Sequence, residues 1–209
     1  MSFTLSIFNK KYKIKSNITG KYNIYNIMAA IGCCIVNRIP IDNIINSIEK
    51  IKSIPGRMEF IGNENRKIFI DYAHTPDAFD NILSLISEIK GKDDKIMTLF
   101  GCGGDRDKSK RAMMARIVEK YSDSIIVTSD NPRREPLKNI IRDIKKGFSN
   151  ERHTIIEDRE AALIYAIREM DENSILLILG KGRENYEIVG NIKHSHNDLE
   201  IIKRELNES

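Results

Sequence analysis

Beyond residue 55 the chain alternates strictly between short, uninterrupted apolar runs and amphipathic stretches, and this pattern constrains its fold more than any other feature. The runs are Ile68 to Ile70, Ile96 to Phe100, Ile125 to Val127 and Ile175 to Leu179. They are largely β-branched, as strands buried on both faces of a parallel sheet are. The stretch after the first run reads clearly as a helix: Thr75 caps it, Pro76 suits its first turn, and Phe79, Ile82, Leu83, Ile86 and Ile89 form one stripe. Further helices are predicted over 109–121, 136–148 and 159–170. Strand, loop and helix repeated in this order give an α/β fold. Specifically, they predict a doubly wound, Rossmann-like, mostly parallel sheet with helices on both faces, whose ligands bind at the carboxyl ends of the strands. Four loops should therefore carry the chemistry.

Residues 1–54 follow a different pattern. FTLSIF and YKIK alternate apolar and polar residues around an Asn9-Lys10 turn, as an antiparallel hairpin does. From Asn23 to Val36 the apolar residues Ile24, Ile27, Met28, Ile31 and Ile35 recur at helical spacing. A second helical set, Ile41, Ile44, Ile45, Ile48 and Ile51, follows Pro40. A hairpin and two helices are too small for an independent core. The piece therefore reads as the tail of a domain whose beginning is absent, with Pro55-Gly56 as the linker to a second domain at 55–209.

With 41% hydrophobic and 31% charged residues the chain can bury a core, which excludes disorder. The longest uncharged stretch, Tyr22 to Asn37, carries three asparagines and falls short of the ~20 residues a membrane span needs. The N-terminus is interrupted by lysines and lacks the apolar run of a signal peptide. No membrane association and a cytoplasmic location are expected. Cys33 and Cys34 are adjacent and Cys102 is remote, which makes no disulfide framework. The balance of 34 Lys+Arg against 30 Asp+Glu is only mildly basic. Runs such as Lys108 to Arg111 raise a nucleic-acid reading, but acids are interleaved with the bases and Trp is absent, so no nucleic-acid partner is expected.

The four loops are DYAHTP at 71–76, GCGGDRDKSKR at 101–111, SDNPRREP at 129–136 and GKGREN at 180–185. Glycines let backbone amides approach an anion, and the following helix N-termini favour negative charge. An anionic ligand is implied, although no G-x-x-x-x-G-K-[ST] phosphate loop occurs. Singly, each residue has a plainer explanation. Gly101, Gly103 and Gly104 could simply turn the chain. Arg106 and Arg133 could be solvated, His74 a polar loop residue, and Cys102 a small buried side chain rather than a reactive thiol. Collectively, Asp71, His74, Asp105, Arg106, Asp130, Arg133 and Glu184 all fall just after predicted strands, so the fold would gather them at one rim.

GRMEF at 56–60, DYAHTPDA, FGCGGDRDKSKR, TSDNPR and GKGRENYEIVG, in this order and spacing, closely resemble the Mur ligases, most of all those of the tripeptide stage. GKYNIYNIMAAI at 20–31 resembles a stretch near the end of that family's central ATPase domain. The resemblance thus spans nearly the whole chain. It implies an ATP-dependent acid–amino-acid ligase of peptidoglycan synthesis. Such an enzyme joins UDP-N-acetylmuramoyl-L-alanyl-D-glutamate to a diamino acid and releases ADP and phosphate. Residues 1–54 would be the tail of the central domain and 55–209 the C-terminal domain. By resemblance, Asn26, Arg57, Asp71, Tyr72 and His74 belong to the ATP site. Arg106, Asp130, Asn131, Pro132, Arg133, Gly180 and Glu184 belong to a meso-diaminopimelate site.

The arginine of the Asp-Asn-Pro-Arg motif marks family members that use meso-diaminopimelate rather than L-lysine. A planar guanidinium matches the extra distal carboxylate through two hydrogen bonds. One departure is Arg183, where the family commonly has histidine, and it is expected to add positive charge beside the ligand. The family's phosphate loop, its UDP-sugar domain and its Mg2+ ligands have no counterpart here. No catalytic residue and no metal ligand are therefore assigned, and the chain is expected to be inactive alone, the full-length form being a monomer. A non-catalytic diamino-acid-binding module, or the remnant of a split gene, is the alternative.

Overall fold

The computed structural model describes residues 1–62 and 66–208. Two compact units divide between Ile54 and Pro55. In the first, β1 (Ser2–Ile7) and β2 (Lys10–Lys15) pair antiparallel. Their turn is Phe8-Asn9, one residue earlier than the sequence pattern suggests, because Ile7 pairs with Lys10. Both turn residues take positive φ, 47° and 64°, the conformation that two-residue hairpin loops prefer. Helices α1 (Lys21–Val36) and α2 (Ile41–Lys50) follow. Contrary to the expectation of no core, Ile14, Ile27, Ile31, Ile44 and Ile48 form a small buried cluster of their own.

The second unit carries a six-stranded sheet in the order β3-β4-β8-β5-β6-β7. Its strands are β3 (Glu59–Phe60), β4 (Lys67–Asp71), β5 (Lys95–Phe100), β6 (Ser124–Val127), β7 (His153–Ile155) and β8 (Ser174–Leu179). All neighbours are parallel except β3, which pairs antiparallel with β4 at one edge. Between them run α3 (Pro76–Ile89), α4 (Ser109–Tyr121), α5 (Leu137–Lys145) and α6 (Arg159–Arg168). After β8 come a two-stranded hairpin, β9 (Tyr186–Val189) and β10 (Ile192–Ser195), and α7 (Asp198–Glu208).

Both faces of the sheet are covered. Ile175, Leu177 and Leu179 of β8 join the core under α3, α4 and α5, while Leu176 and Ile178 join the core under α6 and α7. This two-sided burial is why the strand reads as an unbroken apolar run. Each such side chain contributes about 1.5–3 kcal/mol of burial. Thr75 accepts the amide of Ala78 at the start of α3, and Asp158 accepts that of Ala161 at the start of α6. Helix α5 ends at Lys145, before the anticipated Phe148. The chain there presses on α4, and a Cβ at Gly147 would lie 2.1 Å from the Ala112 carbonyl oxygen. Among the described residues no helix is long and apolar enough to cross a membrane.

Candidate functional site

The carboxyl ends of β4, β5, β6 and β8 deliver their loops to one rim. There a cavity of ≈ 420 Å³ is lined by Arg106, Asp130, Asn131, Arg133, Gly180 and Glu184 together with Tyr72 and His74. Pro132 stands behind it: a Cβ at Gly104 would fall 1.8 Å from the Pro132 carbonyl oxygen, so only glycine lets the β5 and β6 loops touch. Gly180, at φ 113°, turns the chain out of β8 while its amide donates to the Asp71 carbonyl at 3.0 Å.

Arg133 is held from two sides. Its backbone takes φ 52°, its amide donates to Ile188 O at 2.9 Å, and its carbonyl accepts from Gly190 N at 2.7 Å. The short β9–β10 hairpin therefore fixes this turn. The guanidinium donates through Nη1 to Gly104 O at 2.9 Å and to Asn131 O at 3.3 Å, which holds it in the cavity lining. Glu135, two residues on, belongs to other partners. It accepts both Nη groups of Arg111 at 2.8 and 2.7 Å and pairs with Lys108 at 3.3 Å. Those hydrogen bonds, chiefly from Arg111, pull its carboxyl down to about 2. Arg111 also meets Asp143 at 3.1 Å and Gly103 O at 3.1 Å. In the run 108–111 Arg111 is buried in its ion pairs, while Lys108 and Lys110 are exposed and lie 3.3 Å from Glu135 and 3.9 Å from Asp107.

Beneath the Asp130–Arg133 turn lies Lys181, 0% exposed. Its ammonium donates to Tyr186 O at 2.9 Å and Asn131 Oδ1 at 3.3 Å, with Asp130 at 3.4 Å and Glu184 at 4.0 Å. Burial lowers its pKa, and Asp130 opposes that effect. Glu184 is gripped at both oxygens, by Tyr72 Oη at 3.3 Å and Asn131 Nδ2 at 2.9 Å. A second buried pair supports the loop from below. Arg159 binds Asp198 through two hydrogen bonds, at 2.9 and 2.7 Å, and donates to Ser129 O at 3.1 Å.

The residues expected at an ATP site are arranged differently. Asp71 is 4% exposed, and its two oxygens accept the amides of Met58 at 2.7 Å and Ala73 at 2.6 Å. Burial raises its pKa against those bonds. In this structure it braces the Gly56–Met58 segment against the β4 loop. Arg57 is exposed and lies 4.9 Å over the Tyr72 ring, which meets the His74 ring edge-on at 5.0 Å. Asn26 belongs to the first unit, where it is exposed and donates to Asn23 Oδ1 at 3.0 Å. Arg183 does not charge the cavity: its guanidinium pairs with Glu59, and its own charge is balanced there. Cys102 is buried and its thiol is pushed up to about 12, which makes it a small neutral side chain rather than a nucleophile. Among the described residues no three His, Cys, Asp or Glu side chains gather to hold a metal ion.

Sequence reasoning missed Lys181, Arg111, Arg159 and Asp198. Lys181 sits inside the recognised GKG motif, so its position carried a signal, but nothing in a sequence distinguishes a buried lysine from a solvated one. The arrangement as a whole offers two guanidinium groups, Arg106 and Arg133, and the held carboxylates of Asp130 and Glu184, with Asp107 also in the lining, around a cavity sized for a small molecule. Such a set can bind a ligand bearing both carboxylate and ammonium groups.

Comparison with known proteins gives a consistent result. The family model described as Mur ligase, glutamate ligase domain, matches residues 56–182. The chain is 42% identical over 200 residues to the UDP-N-acetylmuramoyl-L-alanyl-D-glutamate–2,6-diaminopimelate ligase of Fusobacterium nucleatum subsp. nucleatum, covering 95% of this chain and 41% of that protein. It is 40% identical over 204 residues to the Rickettsia conorii protein of the same name, covering 98% and 42%. A solved structure of a ligase of that name superposes with a TM-score of 0.71 at 30% identity, over 99% of this chain and 42% of the other. The chain spans about two fifths of the length of the curated relatives it matches.

Proposed function

The chain belongs to the Mur ligase family, and we propose that it supplies the diamino-acid pocket and one wall of the ATP site in an enzyme that adds meso-diaminopimelate to UDP-N-acetylmuramoyl-L-alanyl-D-glutamate. The observation that carries this reading is the convergence of Arg106, Arg133 and Glu184 on one cavity. Arg133 would take the distal carboxylate of meso-diaminopimelate and Arg106 a second carboxylate. Glu184 would accept from the distal ammonium, and Gly180 leaves the backbone open to close approach. The work of these groups is to hold the other amino group free and oriented for attack, which is catalysis by positioning.

ATP supplies the activation of the dipeptide carboxylate. The Arg57–Tyr72–His74 group suits a nucleotide, since it offers an aromatic face and exposed cationic and polar side chains. Asp71 would act by bracing that segment. Mg2+ would be held by the part of the relatives that this chain does not span. A cytoplasmic site of action belongs to the same proposal, because the reaction draws on ATP and a nucleotide-linked precursor. On its own the 209-residue chain should bind without turning over, since it contains no phosphate-loop motif.

The test is ADP release, measured with the chain alone and with a chimera in which it replaces the corresponding two fifths of the Fusobacterium relative. Release dependent on meso-diaminopimelate is expected from the chimera only. Turnover by the chain alone would refute the division of labour, and a chimera driven by L-lysine would refute the substrate.

A further inference from the structure

Behind the turn that carries Asp130, Asn131 and Arg133 into the cavity lining, a buried ion pair reaches the peptide bond at which that turn begins. Arg159 is 1% exposed and Asp198 0%, and neither lines the cavity. Nε and Nη2 of the guanidinium donate to the two oxygens of Asp198 at 2.9 and 2.7 Å, and Nη1 donates to Ser129 O at 3.1 Å. That carbonyl shares a rigid plane with the amide of Asp130, so its direction sets where the turn starts. Asp198 also holds the turn's other support. His196 Nε2 meets Asp198 Oδ1 at 2.7 Å, and the His196 amide donates to Asn185 O at 3.2 Å, at the open end of the β9–β10 hairpin. The same hairpin receives the Arg133 amide on Ile188 O and the Ser129 hydroxyl on Glu187.

A buried pair of this kind is a weak stabiliser, because its attraction only about offsets the desolvation of both charges, and apolar residues of similar size can replace it. What apolar residues cannot do is hold a carbonyl. We propose that Arg159 and Asp198 are positioning residues that set the preference for meso-diaminopimelate from behind the cavity, by fixing the Ser129–Asp130 peptide and with it the placement of Arg133. This rests on reading the cavity as the diamino-acid site.

Two sets of substitutions separate position from stability. Arg159→Met leaves the Asp198 carboxylate buried without its cation and should destabilise the fold, whereas Arg159→Met combined with Asp198→Asn removes both charges and should recover most of that loss. Selectivity should not recover. In calorimetric titrations of the 209-residue chain, the preference for meso-diaminopimelate over L-lysine should fall by about 10-fold in the double variant, as a displaced charge-assisted bond would cause. Added to Arg133→Ala, the same two substitutions should change the preference no further, because they act through Arg133. An unchanged preference in the folded double variant, or a further fall in the Arg133→Ala background, would overturn the proposal.

Amide hydrogen exchange reads the turn without any ligand. Ser129 N, bonded to Glu157 O at 3.3 Å, and Arg133 N, bonded to Ile188 O at 2.9 Å, should exchange faster in the double variant by about 10-fold relative to Leu99 and Leu177 of the central strands. Unchanged relative exchange at the turn would overturn the proposal. If the wild type bound neither ligand, or preferred neither, the reading of the cavity would fail, and exchange would still decide whether the pair positions the turn.

Discussion

On one side of the cavity Asp130, Asn131 and Lys181 are buried, and the Asn131 and Lys181 polar atoms are bonded to fixed partners. Elsewhere in the lining His74 and Arg106 are exposed, as is Arg57 over the Tyr72 ring, and among the described residues no ion pair holds Arg106. The first side has already met the entropic cost of ordering its side chains during folding. The second must meet it when a ligand arrives. A site that discriminates two ligands by one carboxylate needs its charges fixed beforehand, and the buried side has that property. The exposed side is left to order around a ligand.

The largest effect should come from breaking the buried side at its base. Arg111 is 1% exposed and binds Glu135, Asp143 and Gly103 O. Arg111→Ala leaves two carboxylates without their cation and should cost about 3–5 kcal/mol in urea unfolding. Arg106→Ala, on the exposed side, should change stability by no more than about 0.5 kcal/mol. Equal costs would erase the contrast.

Next is Arg133→Ala, which should weaken meso-diaminopimelate by about 2–4 kcal/mol and leave L-lysine unchanged. Arg133→Lys should restore only part, because an ammonium lacks the planar fork. The Arg133 guanidinium donates to Gly104 O and Asn131 O, whereas the neighbouring Glu135 binds Arg111 and Lys108.

The pH dependence sharpens the same contrast. Glu135 sits at about 2 in the folded chain against an ordinary 4.5, so its stabilisation is complete above about 4.5 and is lost as pH falls towards 2. The gap in urea midpoint between wild type and Glu135→Gln should be widest near neutrality and close at the acid end. A gap that persisted at pH 2 would show that the charge is not the cause. The smallest effect belongs to Arg57→Ala. It removes one exposed contact with the Tyr72 ring and should cost about 0.5–1 kcal/mol at most, read as a small shift in melting temperature.

Much of this architecture was legible in the sequence because burial on two faces leaves an unmistakable mark. The Ile175 to Leu179 run reads as a central strand because every one of its side chains is enclosed. The rim was legible for a related reason: Asp71, Arg106, Asp130, Arg133 and Glu184 each follow such a run, and a parallel sheet sends all those ends to one side. Elements governed by pairing rather than by burial left less trace. β3 has two residues, β7 has three, and the β10 residues Ile192 to Ser195 are exposed throughout. Partnerships across long separations left none. Arg183 finds Glu59 from 124 positions away, so its charge was assigned to the cavity, and Lys181 carries no sign in the sequence that it is buried.

The central claim is that the buried side of this cavity is a preformed receptor for a diamino acid with a second carboxylate. Calorimetric titration of the 209-residue chain with meso-diaminopimelate and, separately, with L-lysine tests it most directly. The account predicts tighter binding of meso-diaminopimelate, by about 30-fold or more if Arg133 contributes as a charge-assisted pair does. Equal affinity for the two ligands, or a preference for L-lysine, would contradict it.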